Sequence, residues 1–526
     1  MKLNTKKIIY VGFAFLLIQT FWQAYDNLIA KILIDKFGLN QTWSGFVMAF
    51  DNILALFMLP LFGLLSDKTT TKIGKRTPYI IIGTLIASLA FVGIGLIDKK
   101  QTEFVHNETS VVAEYEKIKD HEDVVADWEA VVAEMNGDII NESSSDKSSY
   151  KEQINEILTE YTAQNKEKLD LAEVYEVKDL YSNYLSAQVR EKTHKDPKMF
   201  IVFMLVLLVS LIAMSIYRSP AVALMPDVVV KPLRSKANAI INLMGAVGGV
   251  LFLVLSMAIG IDKYSYLNYF WGFAAVAIIM IASLIVFLFN VNEVELVTLR
   301  KQEEEEYGLL ELEKEEEEVI GKETLSRDKK ASLLLILFSV LFWFMGYNAI
   351  ISKLSDYAPK MLNMGFSLTL LIANATAIIG FIPIGILSSK LGRKKVIIFG
   401  IILLVLCFSF VPLLSQKTNY LMYLILGLTG IAWASINVNS YPMVVELSTG
   451  SNVGKYTGYY YAFSMAAQII TPILSGLLMD KIGRIVLFPY AAVMVVISLI
   501  TFLFVKHGDV KPEAKESLLE HFDVED

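Results

Sequence analysis

Cysteine is nearly absent from this chain. Cys407 is the only one in 526 residues and falls inside an apolar run, which excludes a disulfide framework and a cysteine-built metal cluster. The five histidines show no ligand spacing, so metal chemistry has no donor set. No paired nucleophile and base and no phosphate-cradling glycine loop occurs, so an enzyme is not expected and no cofactor is implied. Charge is scarce too. Asp, Glu, Lys and Arg make up 19% of the chain against 54% hydrophobic residues, with a mean hydropathy of +0.50. A soluble chain of this length would carry more charge. The net charge of −7 is dominated by two polar stretches, residues 99–197 and a segment at 291–330 containing "QEEEEYGLLELEKEEEEV". Neither suggests nucleic-acid binding.

What fills the sequence is apolar runs of bilayer length, which requires roughly 20 residues in a helix. Twelve such runs lie near 8–30, 43–65, 78–98, 198–217, 237–260, 267–290, 331–352, 367–388, 395–415, 418–442, 458–478 and 484–505. The first has no small-residue cleavage site and keeps polar residues to its end, so it reads as a span and not as a signal peptide. Loops near 66–77, 218–236 and 389–395 each hold four Lys or Arg, whereas those on the opposite side hold one or two. With Lys2, Lys6 and Lys7 ahead of the first span, this bias puts both termini in the cytoplasm. The organisation follows: spans 1–3 in 1–98, an extracytoplasmic insertion at 99–197, spans 4–6 in 198–290, an acidic cytoplasmic linker at 291–330, spans 7–12 in 331–505, and a cytoplasmic tail at 506–526. The insertion includes a weakly amphipathic stretch, "SVVAEYEKIKDHEDVVADWEAVVAEM", able to form a helical cap but carrying no chemistry of its own. The glutamate-rich linker reads as solvated.

The two halves look related. Asp227 and Lys236 after the fourth span match Glu446 and Lys455 after the tenth, both at an offset of 219. The same offset pairs Asn238, Asn242, Gly245 and Gly249 with Thr457, Tyr461, Ser464 and Gln468, and each set occupies one helical face. "GLLSDKTTTKIGKR" also repeats, more weakly and three residues shorter, as "GILSSKLGRKK". Six plus six spans in parallel repeats is a transporter architecture.

The stretch "LPLFGLLSDKTTTKIGKRTPYIIIG" packs Asp67, Lys68, Lys72, Lys75 and Arg76 between two spans. Lys72, Lys75 and Arg76 suffice for topology. Asp67 demands more, because a carboxylate at a helix C-terminus opposes the helix dipole. It needs a cationic partner, with Arg234, Lys236 or the start of the eleventh span near Thr457 as candidates. Gly63 permits close helix approach and Gly74 a tight turn. Together with Asp227 and Glu446 these residues make a gating latch at the inner face.

"GLLSDKTTTKIGKRTP" looks like the loop signature of the major facilitator superfamily, and in particular resembles that of glycoside–pentoside–hexuronide cation symporters and sucrose-type proton symporters. The blocks "RSPAVALMPDVVVKPLRSKANAIINLMGAVGG" (218–249), "YPMVVELSTGSNVGKYTGYYYAFSMAAQIITPILSG" (441–476) and "WFMGYNA" (343–349) extend the resemblance over both halves. It implies an all-α membrane protein of 12 transmembrane helices in two six-helix repeat halves, the major facilitator fold, with the soluble insertion added. Melibiose-type sodium symporters carry two carboxylates just ahead of the matching proline, whereas here Asp51 stands a turn or more too far from Pro60. Plant sucrose carriers have an arginine where this chain has Val222. The fifth span also lacks the Gly-Pro pair typical of drug antiporters.

An ionisable residue within a span is costly and usually functional. Asp26 is the first candidate for proton coupling, on a face with Gln19, Trp22 or Gln23; Asp51, beside Asn52, is the second. A sugar site needs flat apolar faces together with amides and hydroxyls. The substrate-binding candidates are Trp22, Gln23 and Asn27 in the first half, and Tyr347, Asn348, Asn374, Trp433, Asn437, Tyr461, Ser464 and Gln468 in the second. Ser435 and Asn439 share another face of the tenth span, and Tyr459 and Tyr460 could equally belong to an interfacial belt. The expected function is proton-coupled sugar uptake by alternating access, with sodium as the other possible ion and the protein a monomer in the bilayer. The alternatives are an exporter, a carrier of another organic solute, or a non-transporting membrane sensor.

Overall fold

The computed structural model describes residues 3–108, 186, 189–307, 326–415, 417–447 and 453–508. The amphipathic stretch at 110–135, much of the glutamate run and the tail from 509 lie outside the described residues. Among the described residues, twelve helices are long and apolar enough to cross a membrane. They are α1 (Thr5–Ala24), α2 (Gln41–Lys68), α3 (Thr77–Glu108), α4 (Lys198–Val228), α5 (Arg234–Ile259), α6 (Phe270–Asn290), α7 (Arg327–Met361), α8 (Phe366–Leu391), α9 (Arg393–Phe410), α10 (Leu421–Glu446), α11 (Val453–Ile482) and α12 (Leu487–Leu503). Large apolar side chains on their outer faces, such as Phe57, Leu89, Ile379 and Phe289, are exposed, as lipid contact requires.

Several boundaries differ from the sequence reading, two of them at the end that carries the insertion. The first span does not end near 30: its helix continues through two π-helical segments, Tyr25–Ile29 and Ile32–Lys36. α3 likewise runs past 98 to Glu108. Polar residues ended both expected spans early, and in the fold those residues are buried against other chain segments. Lys36, for instance, is 2.6 Å from Asp98, with both side chains fully buried.

The halves repeat the same packing. The neighbours α1–α5, α1–α6, α2–α4, α3–α4 and α3–α6 recur as α7–α11, α7–α12, α8–α10, α9–α10 and α9–α12. Across the halves, α2 packs on α11 and α5 on α8, again a symmetric set. Glycines set the closest approaches. A Cβ on Gly45 would stand 2.0 Å from the Pro472 carbonyl oxygen, and one on Gly476 would stand 2.3 Å from that of Gln41, so α2 and α11 are joined backbone to backbone.

The end of the molecule that carries the insertion is sealed between the halves. Lys360 Nζ lies 2.5 Å from both Asp35 and Asp356, and Arg484 Nε lies 2.8 Å from Asp356. Gln41 Nε2 donates to Asp356 at 2.7 Å, and Lys353 Nζ donates to the Gln41 backbone and side-chain oxygens at 3.1 Å. Asp480 at the end of α11 accepts the backbone N–H groups of Gln41 and Thr42, each at 2.8 Å, and so caps α2. Asp262, after α5, takes the equivalent place before α8 and accepts from the Ser367 backbone; burial pushes its carboxyl above the usual range, and Lys31 pulls it back.

Replacing Gly45 with Val would force α2 and α11 apart and open this seal. The expected outcome is that a cysteine at Asn242, reached from the opposite end, loses reactivity toward a membrane-impermeant thiol reagent applied on that side. The readout is clean because Cys407 is buried; unchanged labelling would mean that the seam does not govern the state.

Candidate functional site

A cavity separates the halves at mid-depth. One part, about 230 Å³, is lined by Gln19, Gln23, Asn242, Gly245 and Gly249 from α1 and α5 and by Asn374, Phe381 and Trp433 from α8 and α10. A second part, about 560 Å³, shares Phe15, Gln19 and Asn242 and extends along Arg218, Asn238 and Tyr461 to Pro226, Arg234 and Ser235, at the ends of α4 and α5 remote from the insertion. The space therefore reaches toward the charged loops, opposite the sealed end. Its volume suits a small solute. The walls pair carboxamides with aromatic faces: Trp433 stacks on Tyr347 at 6.1 Å and meets Phe381 at 5.9 Å.

The candidates divide on inspection. Gln23, Asn374, Trp433 and Tyr461 line the cavity, with Tyr347 behind Trp433. Asn27 does not contribute in this way: its amide donates to the Gln23 backbone at 2.8 Å and lies buried between helices. Ser464 is buried and donates to the Tyr461 carbonyl. Asn437 is buried and Gln468 half-buried, and neither is among the residues lining these two cavities. Asn348 has a buried Nδ2 with no acceptor among the described residues. Ser435 and Asn439 bond back to their own helix, and Tyr460 is buried against Ser440 at 3.0 Å, so it is no belt residue. Polar side chains in spans served here as packing as often as lining, because a helix offers its own carbonyls as acceptors.

Asp26 lies in the first π segment, where i→i+5 bonding interrupts the helix. Its carboxylate has no hydrogen-bond partner among the described residues, and its charged neighbours are Asp51 and Arg218. Asp51 accepts from Asn52 Nδ2 at 2.8 Å and shares a small cavity with Trp22 and Arg218. Arg218 escaped the sequence reading because the fourth span was ended at 217, which counted it as a loop cation. α4 continues to Val228, so Arg218 sits ten residues, about 15 Å, inside the helix end.

The charged loop forms a closed unit within one half. Arg76 pairs with Asp67 at 2.5 Å and Asp227 at 2.8 Å, and also donates to Ser66 Oγ. Lys75 adds Asp227 at 3.1 Å. Asp67 therefore pairs with Arg76, and more loosely with Lys75 at 3.8 Å, and not with Arg234, Lys236 or the start of α11. Arg234 instead donates to the Pro226 and Val229 carbonyls. A guanidinium fork can serve two carboxylates at once, and Arg76 is placed for this by the turn at Gly74, whose φ of 111° suits glycine. In the second half Arg393 pairs with Glu446, matching Arg76 with Asp227. Gly63 faces α4, where an added Cβ would lie 3.1 Å from Ser219 Oγ.

The linker is not simply solvated at its start. Glu293 opens a helix, Glu293–Glu306, and is 1% exposed. Its carboxylate accepts the backbone N–H groups of Lys75 at 2.7 Å, Arg76 at 3.0 Å and Thr77 at 2.8 Å, and the Thr77 hydroxyl at 2.7 Å. These are the orphan donors at the start of α3, and a buried carboxylate satisfies them. Glu293→Gln should cost about 1–3 kcal/mol, measured as a lower unfolding midpoint in detergent. Glu295→Gln, whose exposed pair with Lys7 spans 3.1 Å, should stay within about 0.5 kcal/mol. Equal effects would remove the capping role.

Comparison with known proteins agrees with this geometry. The Major Facilitator Superfamily model matches residues 193–382 and 363–522, and the MFS/sugar transport protein model matches residues 10–96. An uncharacterised MFS-type transporter of Methanocaldococcus jannaschii is 32% identical over 125 residues, a match spanning 24% of this chain and 30% of that relative's length. Among solved structures, a bacterial homologue of the iron transporter ferroportin in the inward-facing state aligns with TM-score 0.59 and 12% identity, over 95% of this chain and 99% of the other. The inward-open xylose transporter XylE of E. coli gives 0.56 and 13%, over 99% of each. The nucleoside transporter NupG gives 0.55 and 11%, over 94% and 99%. With the superfamily model covering well over half of its residues and the twelve-helix fold shared along its whole length, this chain belongs to the Major Facilitator Superfamily of membrane transporters.

Proposed function

We propose that this protein carries a sugar or a similarly hydroxylated small solute into the cell together with a proton, by alternating access. The observation that carries the reading is the cavity between the halves, where Trp433 and Phe381 offer flat apolar faces beside the carboxamides of Gln19, Gln23, Asn242 and Asn374. Sugars present C–H faces and hydroxyls, and need both kinds of wall. The sugar-transport family match over α1 to α3 and the xylose transporter among the fold relatives support the same solute class.

Both termini face the cytoplasm in this reading, because the basic loops lie on their side. The structure is then the inward-open state: sealed outside by the Lys360 network and open toward the Arg76 loop. Asp26 is the proton carrier, since a carboxylate within a span, one turn beyond the cavity-lining Gln23 and beside Arg218, can alternate between protonated and ionised forms as the solute comes and goes. Asp51 assists it. The proton is preferred to sodium because Asp51 stands too far from Pro60 for the melibiose-type arrangement. The Asp67–Arg76–Asp227 unit holds α2, α3 and α4 rigid as a gate element, with Glu446 and Arg393 as its counterpart.

In proteoliposomes with an imposed proton gradient, Asp26→Asn should abolish concentrative uptake while preserving solute exchange, because an amide mimics only the protonated acid. Wild-type accumulation by this variant would remove Asp26 from the coupling role. Trp433→Ala should raise the half-saturation concentration about tenfold or more, consistent with loss of an aromatic platform; an unchanged value would place the solute elsewhere.

A further inference from the structure

Among the described residues, the buried cations have partners. Lys36 has Asp98, Lys360 has Asp35 and Asp356, Arg484 has Asp356, Arg76 has Asp67 and Asp227, and Lys31 donates to two backbone carbonyls. Arg218 stands apart. It lies about 15 Å inside α4, half-buried, and no carboxylate comes within 4 Å of it among the described residues. Its contact is the Trp22 ring, 5.7 Å from the guanidinium carbon. The Trp22 indole N–H likewise has no acceptor among the described residues. Asp26 and Asp51 act on Arg218 through space, without touching it.

An unpaired guanidinium at this depth is costly unless an anion completes it. Arg218 lines the 560 Å³ part of the cavity together with Gln19, Asn238 and Asn242. We propose that the transported solute is a hydroxylated carboxylic acid, its carboxylate gripped by the Arg218 fork and its hydroxyls met by the neighbouring carboxamides. This rests on the transport reading above and names the solute class for the same cavity. A monoanion fits better than a phosphate dianion, because the other cation lining this part, Arg234, is already spent on the Pro226 and Val229 carbonyls. The arrangement also explains why two aspartates stand near one arginine. With solute bound, its carboxylate answers Arg218 while the aspartates hold protons; once it leaves, an ionised aspartate answers Arg218 in its place, so anion and proton travel together.

The test uses the purified full-length protein, with binding followed by calorimetry and accumulation measured in proteoliposomes. The probes are D-gluconate, D-glucuronate and L-lactate, each against a matched neutral compound (D-glucitol, D-glucose and propane-1,2-diol), with D-glucose 6-phosphate alongside. At least one acid should bind about 30-fold or more tightly than its neutral match. Arg218→Gln should erase that preference, and Arg218→Lys, which keeps the charge but loses the fork, should retain part of it. Neutral compounds binding as well as the acids, a preference untouched by Arg218→Gln, or a stronger response to the phosphate would each overturn the carboxylate assignment and leave the transport reading intact. Tight binding of an acid with no proton-driven accumulation would instead overturn the transport reading while keeping Arg218 as the anion site.

Discussion

Lys360 is the contact on which the arrangement of the halves turns. Its ammonium meets Asp35 of one half and Asp356 of its own, and Asp356 is shared with Arg484 and Gln41. A buried ion network is a poor source of net stability, since desolvation cancels much of the attraction, but losing one member leaves a bare charge that costs about 3–5 kcal/mol. The network therefore works as a specification of register. It tolerates one docking of α1 and α2 on α7 and α11, and it can part only if water replaces each lost partner. A seal of this kind is switchable in a way that an apolar seam of the same area is not.

The other end is organised differently. There, among the described residues, Arg76 pairs with Asp67 and Asp227, and Arg393 with Glu446, each within its own half. These pairs stiffen the helices that border the cavity without tying the halves together, which is why the cavity reaches that end. Glu293 extends the first unit into the connection between halves by capping α3 from the start of the linker helix. The linker is thus fastened at one of its ends to the loop between α2 and α3.

Much of the fold was legible because bilayer thickness and backbone hydrogen bonding leave few options. The repeat was legible through Asp227 and Glu446, which occupy equivalent ion pairs. The site was less so. Asn27 and Ser464 were candidate ligand contacts, but span polarity does not distinguish a cavity wall from a helix bonding to its own carbonyls. Arg76 was in plain view as a topology signal, and its role as the partner of Asp67 depended on a turn that folds the loop back on itself. Glu293 was hidden in an acidic run, more than two hundred residues from the N–H groups it caps. Arg218 was missed through a span boundary set where charge began, although the helix did not stop there.

The π segments of α1 carry a consequence of a different kind. Each accommodates one residue more than an α-helical turn would, so the face bearing Gln19 and Gln23 and the face bearing Lys31 and Asp35 are offset by more than simple helical counting allows. If residues 25–29 wound as regular α-helix instead, the helix would still be long enough to cross the bilayer, yet everything beyond them would swing by about 100°. Asp35 would turn away from Lys360, and the lining of the cavity would no longer match the seal above it. For this helix, the bonding pattern is a stricter constraint than residue identity: many substitutions preserve the alignment of its two faces, and winding a π segment into regular α-helix does not.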